Sequence, residues 1–445
     1  MEKIDVPQLN VPRIVIIGAG FAGIQLIKRL KNKDVQIVLF DRNNYHTFQP
    51  LLYQVATAGL EPDAISFPVR KIFKKYKNVF FRMGTVQRVV AEENKILTDI
   101  GELDYDYLVV ATGSRTNFFG LDDVQANSMS MKTVAQSLDL RSAMLQNFEQ
   151  ALLTKNLEER EKLMNFVIVG GGPTGVELAG ALGELKNHIL PLDYPELDVR
   201  RMQIHLIEAS SRLLPALSKK SSEKSIGYLK ELGVNVWTNT AVINFDGEVV
   251  VTKGEKSSQI LSKNVIWSAG VEGNPIKGVD DAMQPSKRIK VNEFNQLEEF
   301  ENVFAIGDIA FMPQKDFPRG HPMVAPVAIQ QGNLLAKNII KLVNKDGKLK
   351  PFKYRDKGSM ATIGKNRAVV EIGKMKYQGA FAWFVWMFVH IMSLVGMRNK
   401  AVVLINWTWN YINYDRGNRL IIRKHKRVDS SRQQSEKLND LDEII

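Results

Sequence analysis

Two short stretches of sequence decide the fold: VIIGAGFAG at residues 15–23 and VIVGGGPTG at residues 167–175. Each is an apolar, strand-like run that leads into the spacing Gly-x-Gly-x-x-Gly and then into a helix-like segment. In a βαβ unit of this kind the glycines bring the backbone close to a pyrophosphate, which lies at the N-terminus of the helix. The sequence therefore predicts two dinucleotide-binding sites, with electron transfer between their occupants.

Each glycine of the first site has a separate task. Gly18 permits the tight turn, Gly20 lets the backbone approach the pyrophosphate, and Gly23 lets the helix pack on the strand. Asp41 ends the next strand, 23 positions after Gly18, where a carboxylate accepts hydrogen bonds from a ribose hydroxyl. The alternative interpretation is a glycine-rich turn with an unrelated surface acid.

The second site repeats this arrangement with Gly170, Gly172 and Gly175, and Glu208 ends the next strand. A carboxylate at that position repels a 2′-phosphate, so it favours NADH over NADPH. Arg212 lies four positions further on, where a cation would attract the same phosphate. The sequence therefore leaves some use of NADPH open.

The run VFAIGD at residues 303–308 indicates a further strand that ends on an acid. We place it in the first domain, where Asp308 would suit a hydroxyl-rich ribityl chain, which FAD has and NAD lacks. The predicted fold is α/β, with two Rossmann-like domains, the NADH domain inserted in the FAD domain, and C-terminal amphipathic helices. The predicted boundaries are 10–130 and 296–350 for the FAD domain, 131–295 for the NADH domain, 351–425 for a C-terminal region and 426–445 for a flexible tail.

The chain has no cysteine among its 445 residues. This excludes protein disulfides, cysteine-ligated zinc, iron–sulfur clusters and thiol catalysis, and we expect no metal site. The N-terminal segment MEKIDVPQLNVPR has mixed charge and no apolar core, so we expect no signal peptide and a cytoplasm-like compartment.

All of the excess positive charge lies near the C-terminus. Residues 337–427 hold 20 Lys or Arg and four Asp or Glu, whereas the net charge of the whole chain is +12. Within this block, residues 378–397 carry no formal charge, and a second apolar stretch follows at 401–412. Both stretches are rich in Trp and Tyr and are bordered by cations.

This pattern is typical of helices that lie in a membrane interface with their cations on anionic headgroups. We predict such a surface over residues 374–419, on an anionic lipid membrane. Two alternatives are a bilayer-spanning segment at 378–397 and a dimer interface without a membrane. Nucleic acid is not expected, because no basic groove motif accompanies the charge.

A set of motifs resembles the two-dinucleotide-binding-domain flavoproteins and, within them, the type II NADH dehydrogenases. The motifs are the two glycine stretches, ATG at 111–113, AIGD at 305–308, NYHTFQPLLYQVA at 44–56, GVELAG at 175–180 and AIQQ at 328–331. The resemblance runs from about Arg13 to Ile422. It implies a non-pumping NADH:quinone oxidoreductase with non-covalent FAD, NADH as substrate and a membrane quinone as acceptor. It also implies a homodimer that lies peripherally on the cytoplasmic face of the membrane.

By position, the resemblance assigns cofactor contacts around both glycine loops. For FAD it implies Gly18, Gly20, Phe21, Ala22, Gly23, Asp41, Arg42, Val86, Ala111, Thr112, Gly113, Gly307 and Asp308. For NADH it implies Gly170, Gly172, Thr174, Gly175, Glu208, Ala269 and Gly270.

Glu177 matches the family's acid near the junction of nicotinamide, flavin and quinone, which implies a proton-handling role. The alternative is a helix N-terminal acid favoured only by the helix dipole, worth about 0.3–1 kcal/mol. Ala325, Pro326, Gln330 and Gln331 match the quinone-side helix in part. Pro326 departs from the Ala-Gln of many members, and proline has neither an N–H nor a side-chain amide to donate. The two glutamines are polar candidates, or simply belong to an ordinary helix N-terminus.

We therefore predict FAD-dependent oxidation of NADH with two-electron reduction of a membrane quinone, without ion pumping. Sulfide:quinone oxidoreductases and disulfide reductases need cysteines, which this chain lacks. The alternatives are a flavoprotein that senses NADH and a reductase of a protein electron carrier. The latter would not need the apolar, aromatic C-terminal pair of helices.

Overall fold

The computed structural model describes residues 2–279 and 286–425, so the predicted tail at 426–445 lies outside the described residues. The described residues form two compact units. Unit 1 comprises 2–47, 66–115 and 271–357, and unit 2 comprises 48–65, 116–270 and 358–425. The first two segments of unit 2 interrupt unit 1 and the third follows it, so the chain passes between the units more often than the predicted boundaries imply.

A parallel five-stranded sheet forms the centre of unit 1. Its spatial order is Val303–Ala305, Tyr107–Val110, Arg13–Ile17, Gln36–Asp41 and Val79–Met83. The residues of the middle strand are almost completely buried, as expected for a parallel sheet with both faces covered. The helix Phe21–Leu30 packs on the helix Ala325–Val343. A Cβ on Gly332 would lie 2.7 Å from the carbonyl oxygen of Ala22, so only glycine permits this close approach.

The remaining elements of unit 1 are smaller. They are an antiparallel sheet of Val86–Val90, Lys95–Thr98 and Gly101–Asp104, the strand pairs Tyr45–Thr47 with Ser66–Pro68 and Ile289–Lys290 with Ala310–Phe311, the helix Val69–Phe73, and the 3₁₀ turns Ala91–Glu93 and Gly307–Ile309.

Unit 2 repeats the sheet plan of unit 1. Its parallel sheet has the order Met129–Ser130, Asn264–Trp267, Phe166–Val169, Ile204–Ile207 and Val234–Trp237. In both units the glycine-loop strand is third, and the strand ending on the predicted acid is fourth. Two antiparallel sheets accompany it: Thr240–Phe245 with Val249–Gly254 and Gln259–Leu261, and Ser359–Gly364 with Arg367–Ile372 and Met375–Gln378. The predicted duplication of the dinucleotide unit is thereby confirmed.

Helices cover the sheets of unit 2. They are Leu52–Ala56, Pro62–Ile65, Asp122–Asn127, Val134–Leu153, Leu157–Met164, Pro173–His188, Leu190–Asp193, Lys219–Glu231, Ala380–Ser393 and Met397–Asn413, with 3₁₀ turns at Gln49–Leu51 and Val199–Arg201. Two further short strands, Ser114–Thr116 and Val271–Gly273, pair with each other and belong almost entirely to unit 1.

The unit boundaries differ from the predicted domain boundaries of 131 and 295. Unit 2 already begins its long segment at residue 116, and unit 1 resumes at residue 271. The physical reason is burial, since Ile276 and Ile289 belong to the same hydrophobic core as Val15 of the first glycine-loop strand. The separately predicted region 351–425 also differs, because residues from 358 onward belong to unit 2.

The two predicted apolar C-terminal stretches form the helices Ala380–Ser393 and Met397–Asn413. Each buries one narrow face, which carries Ala382 and Trp386 in the first helix and Asn399, Val403 and Trp407 in the second. Each also exposes large apolar side chains: Phe381, Phe384, Phe388 and Met392 in the first, and Leu404, Ile405, Trp409 and Ile412 in the second. In the described part of the chain, no helix is both long and apolar enough to cross a membrane.

Candidate functional site

The glycine loop of unit 1 has the geometry that a pyrophosphate site requires. Gly18 has a φ of +113°, and an added Cβ there would meet the carbonyl oxygen of Ala111 at 2.3 Å. A Cβ on Gly23 would meet the carbonyl oxygen of Gly18 at 2.0 Å, so the helix reaches the loop only without a side chain. Gly20 has nothing within 4 Å of its Cβ position. The loop therefore leaves open space at the glycine predicted to face the pyrophosphate.

Asp41 closes this loop from the end of the neighbouring strand. Its Oδ2 accepts a hydrogen bond from the N–H of Ala19 at 2.7 Å, and its Oδ1 accepts one from the N–H of Asn43 at 2.7 Å. Burial raises the pKa of Asp41, which these two donors partly offset. His46 supports the same loop: its Nδ1 lies 2.8 Å from the carbonyl oxygen of Ala19, and burial lowers its pKa to about 4. The neutral imidazole packs edge-on against Phe21, with ring centroids 5.3 Å apart.

The ATG segment and the strand-end acid also come together in unit 1. The hydroxyl of Ser114 donates to Oδ2 of Asp308 at 2.6 Å, and the hydroxyl of Thr112 donates to the carbonyl oxygen of Asn274 at 2.7 Å. Gly113 has a φ of +72° and nothing within 4 Å of its Cβ position. Asp308 is thereby held next to the segment that directly follows the predicted FAD residues 111–113.

The predicted quinone-side helix begins with Ala325 and Pro326, and both of its glutamine amides have partners in unit 1. Gln331 is buried, and its Oε1 accepts the N–H of Gly307 at 2.7 Å. Gln330 pairs through its amide with the main chain of the segment that follows the helix. Gln331 therefore holds the turn that carries Asp308. A quinone contact at this helix stays a prediction.

The glycine loop of unit 2 repeats the first loop in detail. Gly170 has a φ of +110°, and an added Cβ would meet Cα of Ala269 at 2.6 Å. A Cβ on Gly175 would meet the carbonyl oxygen of Gly170 at 1.9 Å, and Gly172 has nothing within 4 Å of its Cβ position. The two predicted dinucleotide loops therefore have one geometry.

Glu208 closes the second loop as the strand-end acid closes the first. Its Oε2 accepts from the N–H of Gly171 at 2.6 Å, and its Oε1 accepts from the N–H of Ser210 at 2.7 Å. Arg212, the predicted rival for a 2′-phosphate, donates instead to the carbonyl oxygen of Pro215 at 2.8 Å. The acid is thus fixed at the loop by two main-chain N–H groups, and the guanidinium already has a main-chain partner.

The remaining predicted residues differ in exposure. The side chains of Arg42 and Thr174 are exposed, whereas Ala22 and Val86 are buried. Gly270 is tightly packed, because an added Cβ would meet an aromatic ring at 2.5 Å.

Unit 2 also contains a partly open cavity of about 110 Å³, which the sequence did not predict. Six aromatic side chains line it: Tyr53, Trp383, Trp386, Trp407, Tyr411 and Tyr414. Its ionisable side chains are Glu177, Glu184, Lys365 and Arg416. An apolar cavity with a few convergent polar groups is the usual form of a small-molecule site.

Glu177 is the predicted catalytic residue, and it lines this cavity. It lies in the helix Pro173–His188 and is 7% exposed. Its Oε1 accepts from the indole N–H of Trp386 at 3.2 Å and from the N–H of Thr362 at 3.4 Å. Burial raises the pKa of Glu177 to about 8, although both donors lower it. The carboxyl group therefore holds a proton at neutral pH and can release it.

A chain of hydrogen bonds fixes Tyr53 in the same cavity. The indole N–H of Trp407 donates to Oε1 of Gln54 at 2.7 Å, and Nε2 of Gln54 donates to the Tyr53 hydroxyl at 2.9 Å. Burial raises the pKa of Tyr53, and the nearby Glu177 raises it further. The phenol therefore stays protonated, and its own proton remains available as a donor.

An ion pair closes another part of the cavity. Nη2 of Arg416 lies 3.0 Å from Oε2 of Glu184, and the two side chains are 12% and 15% exposed. The guanidinium also donates to the carbonyl oxygens of Thr57 and Ala181, and the N–H of Lys365 donates to Oε1 of Glu184. The pair is hydrogen-bonded on both sides, so the charges of this partly buried pair are well satisfied.

Sequence reasoning identified Glu177 but missed its partners. Tyr53 lies within the NYHTFQPLLYQVA motif and could have been singled out there. Trp386 meets Glu177 across 209 positions of sequence, and the helix periodicity around it does not indicate which acid it contacts. Arg416 falls within the predicted membrane surface 374–419, and its position in the sequence does not indicate its ion pair with Glu184.

Two family models match the chain. A pyridine nucleotide-disulphide oxidoreductase model covers residues 12–332, and a model of the NDH2 C-terminal domain covers residues 357–413. The first match assigns the chain to the pyridine nucleotide-disulphide oxidoreductases. The second narrows this assignment to proteins with an NDH2 C-terminal domain.

Curated relatives agree with both models. The type II NADH:quinone oxidoreductase Ndh of Mycobacterium tuberculosis is 34% identical over 91% of this chain and 89% of that protein. The type II NADH:quinone oxidoreductase of Haemophilus influenzae is 30% identical over 87% of this chain and 94% of that protein. The chain belongs to the type II NADH:quinone oxidoreductase family, which confirms the predicted resemblance.

Solved structures confirm the fold. NDH2 from Plasmodium falciparum, solved in complex with NADH, has a TM-score of 0.85 at 20% identity and covers 93% of this chain and 100% of that one. The sulfide:quinone oxidoreductase of Aquifex aeolicus has a TM-score of 0.71 at 19% identity, over 90% of this chain and 95% of that one.

Proposed function

We propose that this chain oxidises NADH and reduces a membrane quinone by two electrons, with non-covalent FAD as its redox group. The observation that carries this proposal is the pair of matching glycine loops, each closed by a strand-end acid, in a cysteine-free member of this family. The reaction converts NADH, a proton and a quinone into NAD⁺ and a quinol. No cysteine is available for disulfide or persulfide chemistry.

The residues of unit 1 fit FAD. The open space at Gly20 suits the pyrophosphate, Asp41 has lone pairs left for ribose hydroxyls, and Asp308 suits the ribityl chain. When bound, FAD supplies the two-electron chemistry that amino-acid side chains lack. The protein orients the group and keeps its surroundings dry.

The residues of unit 2 fit NADH. Gly172 has open space that would suit the pyrophosphate, and the Glu208 carboxylate, held by two main-chain N–H groups, would accept a hydrogen bond from the ribose 2′-hydroxyl of NADH. A 2′-phosphate would meet the same carboxylate and be repelled. We therefore propose NADH rather than NADPH as the substrate.

Glu177 is proposed as the group that handles the proton consumed in quinone reduction. It is buried, it holds a proton at neutral pH, and it lines an aromatic cavity that a quinone ring would suit. The helix start at residues 325–331 stays a proposed quinone contact. The side-chain oxygens of both glutamines already accept main-chain N–H groups.

The exposed apolar faces of the two C-terminal helices are proposed to lie in an anionic membrane surface. Phe381, Phe384 and Phe388 recur at helical spacing on one face, and Arg398 and Lys400 lie at the junction of the helices. Such a face binds membranes in the plane of the interface. A peripheral homodimer on the cytoplasmic face of the membrane completes the proposal.

The test compares NADH oxidation by the purified holoprotein with and without a water-soluble quinone. Quinone should accelerate NADH oxidation strongly, with one quinol formed per NADH. Glu177→Gln should slow quinone reduction more than it weakens FAD retention. Turnover that is equally fast without quinone would overturn the assignment.

A further inference from the structure

The Glu177 carboxyl group is held unevenly. Both of its hydrogen-bond donors, the indole N–H of Trp386 and the main-chain N–H of Thr362, reach the same oxygen, Oε1. Among the described residues, no hydrogen bond is made to Oε2. An oxygen that accepts two N–H donors is a poor place for a proton, since the proton would point at a donor. The protonated carboxyl group therefore carries its proton on Oε2.

Of the two donors, only the indole can be removed by changing a side chain. Trp386 is 2% exposed and lies in the helix Ala380–Ser393. Its ring stacks on His390, with centroids 4.1 Å apart, and lies 5.3 Å from the ring of Trp407. These contacts hold the indole ring in one orientation, so its N–H points at Oε1 of Glu177.

We infer that Trp386 is a positioning residue for quinone reduction, whose indole N–H holds Oε1 of Glu177 and so presents the exchangeable proton on Oε2 to the cavity. This inference rests on the proposed function, because it assumes that Glu177 delivers a proton there. It assigns to the helix Ala380–Ser393 a role beyond the proposed membrane binding. One face of this helix contacts Glu177 through Trp386, and the opposite face is exposed and apolar.

The other ionisable groups around Glu177 are held by contacts of their own. The helix Leu52–Ala56 supplies the phenol of Tyr53. The Glu177 helix itself supplies Glu184, about two turns further on, which is paired with Arg416 of the segment after the last helix. The remaining groups are Lys365 of the strand hairpin, which lies over the Tyr411 and Tyr414 rings, and His390 of the Trp386 helix, whose Nδ1 lies 2.8 Å from the Trp386 carbonyl oxygen. Among the described residues, no cation forms an ion pair with Glu177, so the two N–H donors are what stabilise its charged form.

The test is an infrared titration of Glu177 in the full-length holoprotein. The C=O band of the protonated carboxyl group is assigned by its loss in Glu177→Gln, and its intensity is followed with pH. Trp386→Phe removes the N–H that stabilises the carboxylate, so the pKa of Glu177 should rise from about 8 by about one pH unit. The fall in the rate of quinone reduction at alkaline pH should move by the same amount, with an unchanged KM for NADH.

Trp383→Phe is the matched control. Trp383 lies on the same helix and lines the same cavity, but its indole N–H is not bonded to Glu177. Its replacement should leave the C=O titration in place. If Trp386→Phe does not fold, benzothienylalanine at position 386 decides the question, because it keeps the bicyclic shape and lacks the N–H.

An unchanged or lowered pKa in the Trp386 variants would overturn the inference. This outcome is separable from a failure of the proposed function. If Glu177→Gln reduced quinone at the wild-type rate, Glu177 would not deliver the proton, whatever the infrared titration of Trp386→Phe shows.

Discussion

At the scale of single residues, Asp41 and Glu208 have the same role in two loops. Each accepts the N–H of the middle residue of its Gly-x-Gly turn, at 2.7 Å and 2.6 Å. Sequence could predict both acids, because strand, loop and acid follow one another closely along the chain. It could not predict the partners of Glu177, because Trp386 reaches it only through the tertiary fold.

Glu208→Arg should shift coenzyme preference toward NADPH. The change removes a carboxylate that repels a 2′-phosphate and supplies a guanidinium that binds one. It also removes the acceptor of the Gly171 N–H, so kcat/KM for NADH should fall by about tenfold or more. The measurement is kcat/KM for both coenzymes, with Arg212→Ala as the control. An unchanged ratio would remove Glu208 from the ribose site.

Glu177 should make stability depend on pH. Its pKa is about 8 in the folded protein against an ordinary value of 4.5. Between these values the unfolded chain has lost the proton and the folded protein has kept it, so stability falls as pH rises, by about 1.4 kcal/mol per pH unit. Glu177→Gln lacks this loss, so its melting temperature should gain on wild type from about pH 5 to pH 8. The control is Glu223→Gln, at an exposed helix position, whose melting temperature should differ from that of wild type by a constant amount over this pH range. If the difference for Glu177→Gln were also constant, the argument that burial raises the pKa of Glu177 would be contradicted.

At the scale of elements, the strands of the two sheets were predictable because they are short apolar runs next to glycine turns. The apolar run that begins the stretch 167–175 predicts a strand, and it forms the strand Phe166–Val169. The antiparallel sheet within residues 359–378 was not predicted. Its strands are short and half-polar, so their periodicity gives little signal, and their pairing depends on contacts with the helix Pro173–His188.

Gly180 fixes the approach of that helix to the sheet. An added Cβ would lie 2.0 Å from the carbonyl oxygen of Ile363, so Gly180→Ala should cost about 1–3 kcal/mol of unfolding free energy through overpacking. Gly227→Ala is the matched control, because that helical glycine has nothing within 4 Å of its Cβ position. It should stabilise by about 0.5–1 kcal/mol. Denaturant titration measures the unfolding free energy of both variants. If both substitutions changed it equally, helix propensity and not close packing would determine the effect of Gly180→Ala.

At the scale of the whole molecule, composition indicates the kind of redox chemistry better than it indicates how the chain is divided into units. The absence of cysteine and the charge in residues 337–427 indicated a redox path that ends at a membrane. The assignment of residues 48–65 to unit 2 could not be predicted, because this short helical segment packs on residues far along the chain. Its Phe48 ring lies 6.0 Å from that of His390.

The exposed faces of the last two helices should decide membrane binding of the whole protein. Phe384 and Phe388 are 54% and 66% exposed, and each buried phenylalanine is worth about 1.5–3 kcal/mol. Replacing both with glutamate removes this gain and adds charges that anionic headgroups repel, so co-sedimentation with phosphatidylglycerol vesicles should be lost at low salt. The double variant should still oxidise NADH with a water-soluble quinone, because neither phenylalanine lines the cavity that contains Glu177. The matched control replaces Leu153 and Leu192 with glutamate. Both leucines are 80% exposed in unit 2 but lie outside these helices, so this variant should still sediment with the vesicles. If the Phe384/Phe388 variant still sediments with vesicles while the protein remains folded, the C-terminal helices are not the membrane surface, and a dimer interface becomes the better explanation of their apolar faces.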